Sequence, residues 1–398
     1  MSSLKEIRQD FPLLVGREGD GKRIVYLDNG CQSLRPVQVT RAMADYYDHL
    51  SACGGAGLAT NSLAVRTTEA CARAREKVAR FLGADPMEVV WQPNTTYGLN
   101  LVVRGLTMRS CPGDLRVGRG DEVLTTDLEH HSGYLPVWLA AREAGVRHRT
   151  VAMNEDGTFD LTRFQDAFTR RTKLVAVIWS SNMTGTTLPV REVVRIAHDH
   201  GARVLVDGAQ YVPHHPVDAQ ALELDFLAFS LHKMCGPAGM GVLFGREELL
   251  QRLPPSVVGG EVVSDLRLTR RPDGRSIVTP DFLPPPARFE PGLQNFAGII
   301  GSGAAVDYLR GRVGMPRIEE IEAALRRRLL RILAAIPSVR ILGPRDPGLP
   351  DRGALVTFTL SGSPADPTMP AALSAWMEDR VEGCRIMIRT SAELGQPG

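Results

Sequence analysis

Two short segments of this 398-residue sequence combine residue types that can do covalent chemistry on an amine. An apolar run ends in Asp207, and a second apolar run leads into Ser230, His232 and Lys233. If both runs are strands of one parallel sheet, the carboxylate and the amine lie at the same edge. A lysine that can form an imine, near a carboxylate that keeps a ring nitrogen protonated, suits pyridoxal 5′-phosphate (PLP).

Alternating strand-like and helical patterns between about residues 85 and 245 would position these side chains. We predict strands at residues 88–91, 121–126, 149–153, 173–181, 203–207, 226–231 and 241–244, and helices at 94–106, 136–143, 161–168 and 190–200. The strands are apolar throughout, which is typical of a largely parallel sheet covered by helices on both faces. The sequence therefore predicts an α/β fold.

The pattern changes after about residue 250. Residues 267–286 are rich in Arg, Asp and Pro with little periodicity, so we predict a long loop. Beyond this loop we predict a helix at 318–336, strands at 339–342 and 354–360, a helix at 370–379 and a strand at 385–388. These elements indicate a smaller α+β domain.

Six short motifs, spread over nearly the whole chain, extend the pattern around Lys233. They are Tyr26–Asn29, Asn94–Asn100, Glu129–His131, Ser181–Gly185, Gly236–Gly239 and Phe289–Asn295. Several are weak singly, but their order and spacing together are specific. The sequence resembles the class V aminotransferases, and within them most closely the cysteine desulfurase and selenocysteine lyase group.

The resemblance implies PLP-dependent transferase fold type I, with a mainly parallel seven-stranded sheet in a large domain flanked by helices. The implied organisation is an N-terminal segment (1–25) that is part of the small domain, a large PLP-binding domain (26–290) and a small, shortened C-terminal domain (291–398). The family is commonly a homodimer with cofactor sites at the interface. Residues 290–295 would reach the neighbouring subunit's phosphate, although Leu293 replaces a polar residue often found there.

Three catalytic roles follow from the resemblance. Lys233 is the expected Schiff-base lysine, and Asp207 is expected to pair with the pyridinium nitrogen. His131 matches the histidine that stacks on the ring and passes protons, whereas we expect the adjacent His130 to be a packing residue. The alternatives are a solvated surface lysine at 233 and a helix N-cap at 207.

The remaining cofactor contacts concern the ring hydroxyl and the phosphate. Asn182 and Gln210 match groups that hydrogen-bond the ring hydroxyl, with a satisfied core amide as the alternative for each. A strand gives way to a helix at Thr95 and Thr96, and a helix N-terminus favours an anion. The predicted phosphate contacts are Thr95, Thr96, Ser230 and His232.

The chain departs from the desulfurase pattern where sulfur would be transferred. A desulfurase needs a cysteine whose thiolate attacks the substrate sulfur, and Leu394 stands at that position. Neither Cys235 nor Cys384 is placed to replace it. Persulfide chemistry is therefore not expected.

The substrate-binding residues also depart from the pattern. The sequence stops nine residues after Arg389, before a carboxylate-binding arginine that the family usually carries, so Arg389 is the expected carboxylate clamp. A salt bridge at the domain edge is the alternative. Asn29 is the second expected substrate contact, and residues 54–61 replace a substrate-side Arg and His by small and amide residues.

Composition and charge exclude several classes of partner. With 47 Lys and Arg against 45 Asp and Glu, the net charge is +2, and no basic stripe is interleaved with aromatic residues. We therefore expect no nucleic-acid partner. The N-terminus has no secretory apolar core, and no apolar run approaches the roughly 20 residues that span a bilayer. We expect a soluble cytoplasmic protein without a membrane partner.

Cysteine and histidine spacing gives no sign of a metal site. The six cysteines lack CxxC spacing. His198 and His200 are two residues apart in a predicted helix and do not share a face, while His214 and His215 precede a proline in a loop. We expect these histidines to be surface or packing residues.

These features together predict a PLP-dependent enzyme that acts on a small amino acid through an external aldimine and a Cα carbanion. The simplest outcome is a lyase that eliminates a β-substituent, with C–S cleavage as one form. The alternatives are a cysteine desulfurase using another thiol or acceptor, and a class V aminotransferase or epimerase. A non-catalytic scaffold is disfavoured because Asp207, His131 and Lys233 are all present.

Overall fold

A computed structural model describes residues 3–16, 21–55, 61–346, 353–360, 373, 375, 377 and 384–388. The helices are α1 (Leu4–Gln9), α2 (Pro12–Val15), α3 (Val37–His49), α4 (Ser62–Phe81), α5 (Thr95–Thr107), α6 (His131–Glu143), α7 (Leu161–Asp166), α8 (Val190–Asp199), α9 (Glu247–Arg252), α10 (Phe296–Asp307) and α11 (Met315–Ala334). The strands are β1 (Arg23–Tyr26), β2 (Val89–Gln92), β3 (Glu122–Thr126), β4 (Arg147–Val151), β5 (Thr172–Ile178), β6 (Arg203–Asp207), β7 (Phe226–Ser230), β8 (Gly241–Gly245), β9 (Val263–Arg270), β10 (Ser276–Phe282), β11 (Val339–Leu342), β12 (Thr357–Leu360) and β13 (Cys384–Met387).

Seven strands form the central sheet in the order β2-β8-β7-β6-β5-β3-β4. β8 is antiparallel to both of its neighbours, and the other adjacent pairs are parallel. β2, β3, β7 and β8 are buried at every residue, as expected for a sheet covered on both faces. The predicted α/β fold with a mainly parallel seven-stranded sheet is confirmed.

Two apolar clusters divide the core between the two faces of this sheet. Val204 and Val206 of β6 belong to one cluster, together with Val193 and Val194 of α8. Leu205, between them in sequence, belongs to the other cluster. Successive strand residues point to opposite faces, so β6 is held from both sides and its last residue, Asp207, is rigidly placed.

The N-terminal strand pairs with the last described strand. β1 and β13 are parallel, and Ile24 is paired with Arg385. A separate antiparallel pair, β11 and β12, lies beside α11, where Ile341 packs with Leu330 and Leu333. The division into residues 1–25, 26–290 and 291–398 stays a prediction. Most of the predicted helix at 370–379 lies outside the described residues.

The loop predicted at residues 267–286 is wrong over most of its length. β9 and β10 form an antiparallel hairpin, and Gly274 in the connecting turn has a positive φ of 79°. Leu266 and Leu268 alternate with polar residues, but both side chains are exposed. Without a buried face, the hairpin has no sustained apolar pattern that could predict it. Among the described residues, no helix is both long and apolar enough to cross a membrane.

A buried ion pair ties the segment after the hairpin to the central sheet. Arg75 of α4 donates to both oxygens of Glu290, at 2.8 and 2.9 Å, and also donates to the Val89 carbonyl. The backbone N–H of Trp91 donates to the same carboxylate at 2.7 Å. The Glu290 side chain is only 9% exposed, so its charge is balanced mainly by these donors. This cluster sets where residues 291–295 leave the sheet.

We expect Glu290→Gln to lower the free energy of unfolding by ~3 kcal/mol, because a buried guanidinium loses its counter-charge. Urea denaturation of the purified protein measures the change. Glu76→Gln is the matched control, since Glu76 pairs with Arg80 at an exposed site and should change stability by less than ~1 kcal/mol. Equal losses in the two variants would contradict the structural role of Glu290.

Candidate active site

Asp207 and Lys233 meet at the carboxyl edge of the sheet because the two strands that carry them are parallel neighbours. Asp207 is the last residue of β6 and is paired with Ala228 of β7. Lys233 ends a short turn of 3₁₀ helix, Leu231–Lys233, that directly follows β7. The two side chains interact electrostatically. The structure therefore brings together the carboxylate and the amine that the sequence analysis singled out.

Burial shifts the titration of both groups. Asp207 is 4% exposed, and its Oδ1 accepts from the Ala209 backbone N–H at 3.0 Å. Burial raises the pKa of the Asp207 carboxyl and lowers the pKa of the Lys233 amine. The Lys233 amine has no hydrogen bond or ion pair with the described residues. The site thus holds a carboxylate that favours a cationic partner and an amine that readily becomes a neutral nucleophile.

The His130 imidazole interacts electrostatically with the Asp207–Lys233 pair. Burial lowers the pKa of His130, and both Asp207 and Lys233 act on its charge. His130 is the N-cap of α6, and its Nδ1 accepts from the Ser132 backbone N–H at 3.1 Å. His131 is the first residue of α6, and both histidines are exposed residues. The contacts favour His130 for the place beside a cofactor ring, and the role of His131 stays a prediction.

Sequence reasoning could not separate the two adjacent histidines, because the helix was predicted to begin only at Pro136. The structure begins α6 at His131 and keeps Pro136 inside it. Two neighbouring residues at a helix start point in different directions, and only the start position decides which one faces the sheet edge. A histidine at an N-cap position directly after a strand was the available signal.

Two hydroxyl pairs form at the predicted phosphate site. The backbone N–H of Thr95 donates to Ser230 Oγ at 2.8 Å, and the Thr95 and Ser230 hydroxyls are 2.6 Å apart. The Thr96 hydroxyl lies 2.7 Å from that of Ser132. Gly241 allows β8 to approach this junction, since an added Cβ would lie 2.5 Å from the Cα of Asn94. Four hydroxyls thus gather at the N-termini of α5 and α6.

Ser132 was missed by the sequence analysis. It lies at a second strand-to-helix junction, after β3, and this junction could have identified it. His232, the other predicted phosphate contact, has its pKa lowered to about 4 by burial, with contributions from Lys233 and Arg35. His232 is therefore neutral near pH 7 and can offer one ring N–H to an anion.

The two predicted amide contacts, Gln210 and Asn182, differ in whether the side chain already has a hydrogen-bond partner in the protein. Gln210 Nε2 donates to the Gly30 carbonyl at 2.7 Å, so this amide attaches a turn of the chain to the end of β6. Asn182 is buried, and its side chain makes no hydrogen bond with the described residues. A buried amide without a partner can serve a ligand. Asn182 therefore fits the predicted contact with the ring hydroxyl better than Gln210 does.

The predicted substrate contacts are only partly described. Asn29 is exposed, and its Nδ2 lies 3.4 Å from the Tyr26 carbonyl that accepts from it. Arg389 and Leu394 lie outside the described residues, as do residues 56–60 of the segment that departs from the desulfurase pattern. The proposed carboxylate clamp at Arg389 stays a prediction.

Three of the four histidines considered for a metal, His198, His214 and His215, have carboxylate partners instead. His198 Nε2 lies 2.8 Å from Asp225 Oδ2, and His214 Nδ1 lies 2.8 Å from Glu322 Oε1. The second contact joins the loop after β6 to α11. Within the described residues there is no cluster of three or more His, Cys, Asp or Glu side chains that could hold a metal ion.

Comparison with known proteins identifies the family. Residues 25–367 match the profile of the family described as aminotransferase class-V. The chain belongs to the class V aminotransferases. A probable cysteine desulfurase of Streptomyces coelicolor is 39% identical over 355 residues, which cover 89% of this class V chain and 81% of that protein.

Solved structures agree with this class V assignment. The apo structure of a cysteine desulfurase from Thermococcus onnurineus NA1 has a TM-score of 0.84 at 33% identity and covers 98% of this chain and 88% of that one. A lysine-to-alanine variant of C-DES, with glycine covalently linked to its PLP cofactor, has a TM-score of 0.78 at 25% identity, over 97% of this chain and 92% of the other. Another similar structure is that of the cystine C–S lyase C-DES in complex with its reaction product, cysteine persulfide.

This class V chain is a PLP-dependent enzyme, and its donor set fits the cofactor. Lys233 supplies the amine and Asp207 the buried carboxylate, while Asn182 supplies a free amide. The hydroxyls at the starts of α5 and α6 can accept and donate around a phosphate. Each chemical part of PLP thus has residues of suitable type at one edge of the sheet.

Glu129 provides a pH test of the electrostatics at this edge. Burial raises its pKa to about 8 from an ordinary value of 4.5, although its Oε1 accepts from the Thr126 hydroxyl at 2.7 Å. The folded state therefore binds more protons than the unfolded state between these two pH values. Its contribution to stability is complete below the unfolded pKa and is lost as pH rises through the folded pKa.

We expect Glu129→Gln to remove this pH dependence, because the amide stays neutral throughout. The unfolding free energy of the variant, minus that of the native protein, should increase by up to ~1.4 kcal/mol per pH unit across the window. Urea denaturation at several pH values measures the difference. Glu155→Gln, at an exposed position, is the control. A difference that is independent of pH would show that Glu129 titrates normally.

Proposed function

We propose that this PLP-dependent enzyme cleaves the Cβ–S bond of a cysteine-type amino acid. The observation that carries the proposal is the Asp207–Lys233 pair with His130 beside it, in a chain 39% identical to a probable cysteine desulfurase. Two further relatives, a desulfurase and a cystine C–S lyase, break C–S bonds according to their names. Similar folds and the same cofactor support a shared bond-breaking step.

Lys233 has two tasks in this mechanism. Its amine would hold the cofactor covalently, and the free neutral amine could act as the base that removes the Cα proton of the substrate. The low pKa that burial imposes on Lys233 keeps a fraction of the amine neutral for both tasks. When bound, PLP supplies the electron sink that stabilises negative charge at Cα.

Asp207 and His130 orient the groups around that proton transfer. The Asp207 carboxylate is desolvated and can keep a positive charge on the ring nitrogen. The Ser132 N–H donates to His130 Nδ1, so the neutral imidazole carries its proton on Nε2 and offers an N–H donor. Thr95, Ser230 and the neighbouring hydroxyls would anchor the phosphate.

A homodimer is part of the proposal. A cavity of about 690 Å³ is lined by Trp91, Thr96, Tyr97, Phe289, Leu293 and other residues. The Tyr97 side chain is 55% exposed and that of Leu293 74% exposed, although both are large and apolar. This surface adjoins the proposed phosphate site at Thr96, and a second copy of the chain would cover it. The predicted cytoplasmic location stays a prediction.

The products of sulfur amino acids test the function. We expect the purified holoenzyme to release sulfur from L-cysteine or L-cystine, measured as sulfide after reduction, and not to act on L-serine. Alanine, pyruvate and ammonia are quantified in the same samples. Pyruvate with ammonia identifies the β-elimination predicted from the sequence, and alanine identifies transfer of sulfur to a thiol.

Lys233→Ala is the matched inactive variant, since it removes the residue that binds the cofactor covalently. It should lose both the sulfur release and the visible absorbance of the cofactor–lysine imine. Turnover of an amino acid only in the presence of an added keto acid, with no sulfur released, would replace the proposal by transamination.

A pair of variants tests the assignment of His130. His130→Asn keeps a residue that caps helices well but removes the imidazole, so we expect turnover to fall by ~10²-fold. His131→Asn should change turnover by less than about threefold, because the neighbouring position does not act on the Asp207–Lys233 pair. Cofactor absorbance confirms that both variants are loaded. A larger loss of turnover in His131→Asn than in His130→Asn would instead support the role predicted for His131.

A further inference from the structure

The turn that follows β1, residues 28–33, is attached to the proposed active site at two points. Within the turn, the backbone N–H of Cys31 donates to the Asp28 carbonyl at 3.1 Å. The first attachment is the Gly30 carbonyl, which accepts from Gln210 Nε2 at 2.7 Å. Gln210 lies just beyond Asp207 in sequence. Cys31 is therefore next to a residue that is anchored at the end of β6.

The second attachment joins Ser33 to His232 and Cys235, which lie on either side of Lys233 in the sequence. The backbone N–H and the hydroxyl of Ser33 both donate to the His232 carbonyl, at 2.9 and 3.0 Å. The Cys235 backbone N–H donates to Ser33 Oγ at 2.7 Å. These three bonds hold Ser33 against the lysine segment and leave Cys31 between the two attachments.

Charge connects Cys31 with the reactive lysine. The Cys31 thiol is free and partly buried. Apart from burial, the influences on the Lys233 pKa are Asp207 and Cys31, and both raise it. A partly exposed cysteine beside a cationic group is the usual setting of a nucleophilic thiol.

The other described cysteines lack this combination. Burial raises the pKa of the Cys71 and Cys235 thiols to about 12 and also raises that of Cys111, so these thiols stay protonated. Cys53 is exposed, but its neighbours are Gly54 and Tyr46. Among the cysteines whose side chains are described, Cys31 alone interacts with Lys233.

We propose that the Cys31 thiolate takes the sulfur atom of a cysteine substrate and holds it as a persulfide. This inference rests on the proposed C–S cleavage and names the acceptor in that reaction. The thiolate lone pair forms an S–S bond to the substrate sulfur while the Cβ–S bond breaks. The electron pair of the broken bond stays on carbon, which takes up a proton, so that L-cysteine and the Cys31 thiol give L-alanine and a Cys31 persulfide.

Release of the sulfur requires a reductant, and dithiothreitol serves in the assay. Its two thiols reduce the outer sulfur of the persulfide to sulfide, regenerate the Cys31 thiol and become a disulfide. Without a reductant, the reaction should stop with the persulfide on the protein. This difference allows the intermediate to be isolated.

The experiment maps the persulfide on the holoenzyme. After incubation with L-cysteine and no reductant, the protein is alkylated and digested, and its peptides are analysed by mass spectrometry. We expect one additional sulfur atom on the peptide that contains Cys31. Native protein is sufficient for this result, so it does not depend on the folding of any variant.

Two variants complete the experiment. Cys31→Ser should retain the cofactor absorbance but lose the persulfide, and its alanine production should fall by at least ~10²-fold. Cys53→Ser should keep the persulfide and the native rate. Sulfur mapped to a different cysteine, or unchanged alanine production by Cys31→Ser, would overturn the assignment.

The outcomes separate this inference from the function on which it rests. Sulfur release with pyruvate and ammonia, equal in the native protein and Cys31→Ser, would keep C–S cleavage and overturn the role of Cys31. No sulfur release from either L-cysteine or L-cystine would overturn both. Alanine formation together with a persulfide on Cys31 supports both.

Discussion

The site depends on the burial of two opposite charges at the ends of neighbouring parallel strands. Asp207 and Lys233 are removed from water by the sheet and its covering helices, and this raises the pKa of the acid and lowers that of the amine. Each charged form is then stabilised mainly by the other group or by a ligand. A cofactor with a basic ring nitrogen and an aldehyde satisfies both groups at once. The rest of the structure serves to hold this arrangement.

Long-range contacts build the walls of the site from distant parts of the chain. The turn at residues 28–33 reaches both Gln210 and His232, so the segment after β1 lies against the proposed site although Ser33 and His232 are 199 positions apart. On another side, the Arg75–Glu290 pair fixes the start of the segment that adjoins the exposed apolar surface. Polar contacts of this kind set geometry more than stability, because each also carries a desolvation penalty.

Much of the fold could be predicted because the strands of a covered parallel sheet are short apolar runs separated by helical patterns. β6 and β11 were predicted with their observed bounds, and the other central strands were found with shifts at their ends. The β9–β10 hairpin could not be predicted, since most of its side chains are exposed. A strand that packs on no core does not need alternating apolar residues. The sequence could not separate His130 from His131 for a related reason, because helix starts are decided by local capping contacts.

The sequence by itself determined the family and the cofactor and singled out Lys233 and Asp207 as candidates, because these depend on residue type and order along the chain. Only the tertiary structure decided which side chains surround that pair. It brought His130 and Ser132 together at the start of α6, and it attached the turn that contains Cys31 to Gln210 and His232. From the sequence we expect Leu394 at the position of the sulfur-accepting cysteine, and nothing in the local sequence singles out Cys31 as a candidate acceptor. The physical reason is that proximity between distant segments depends on packing and hydrogen-bond geometry, which local residue patterns do not encode.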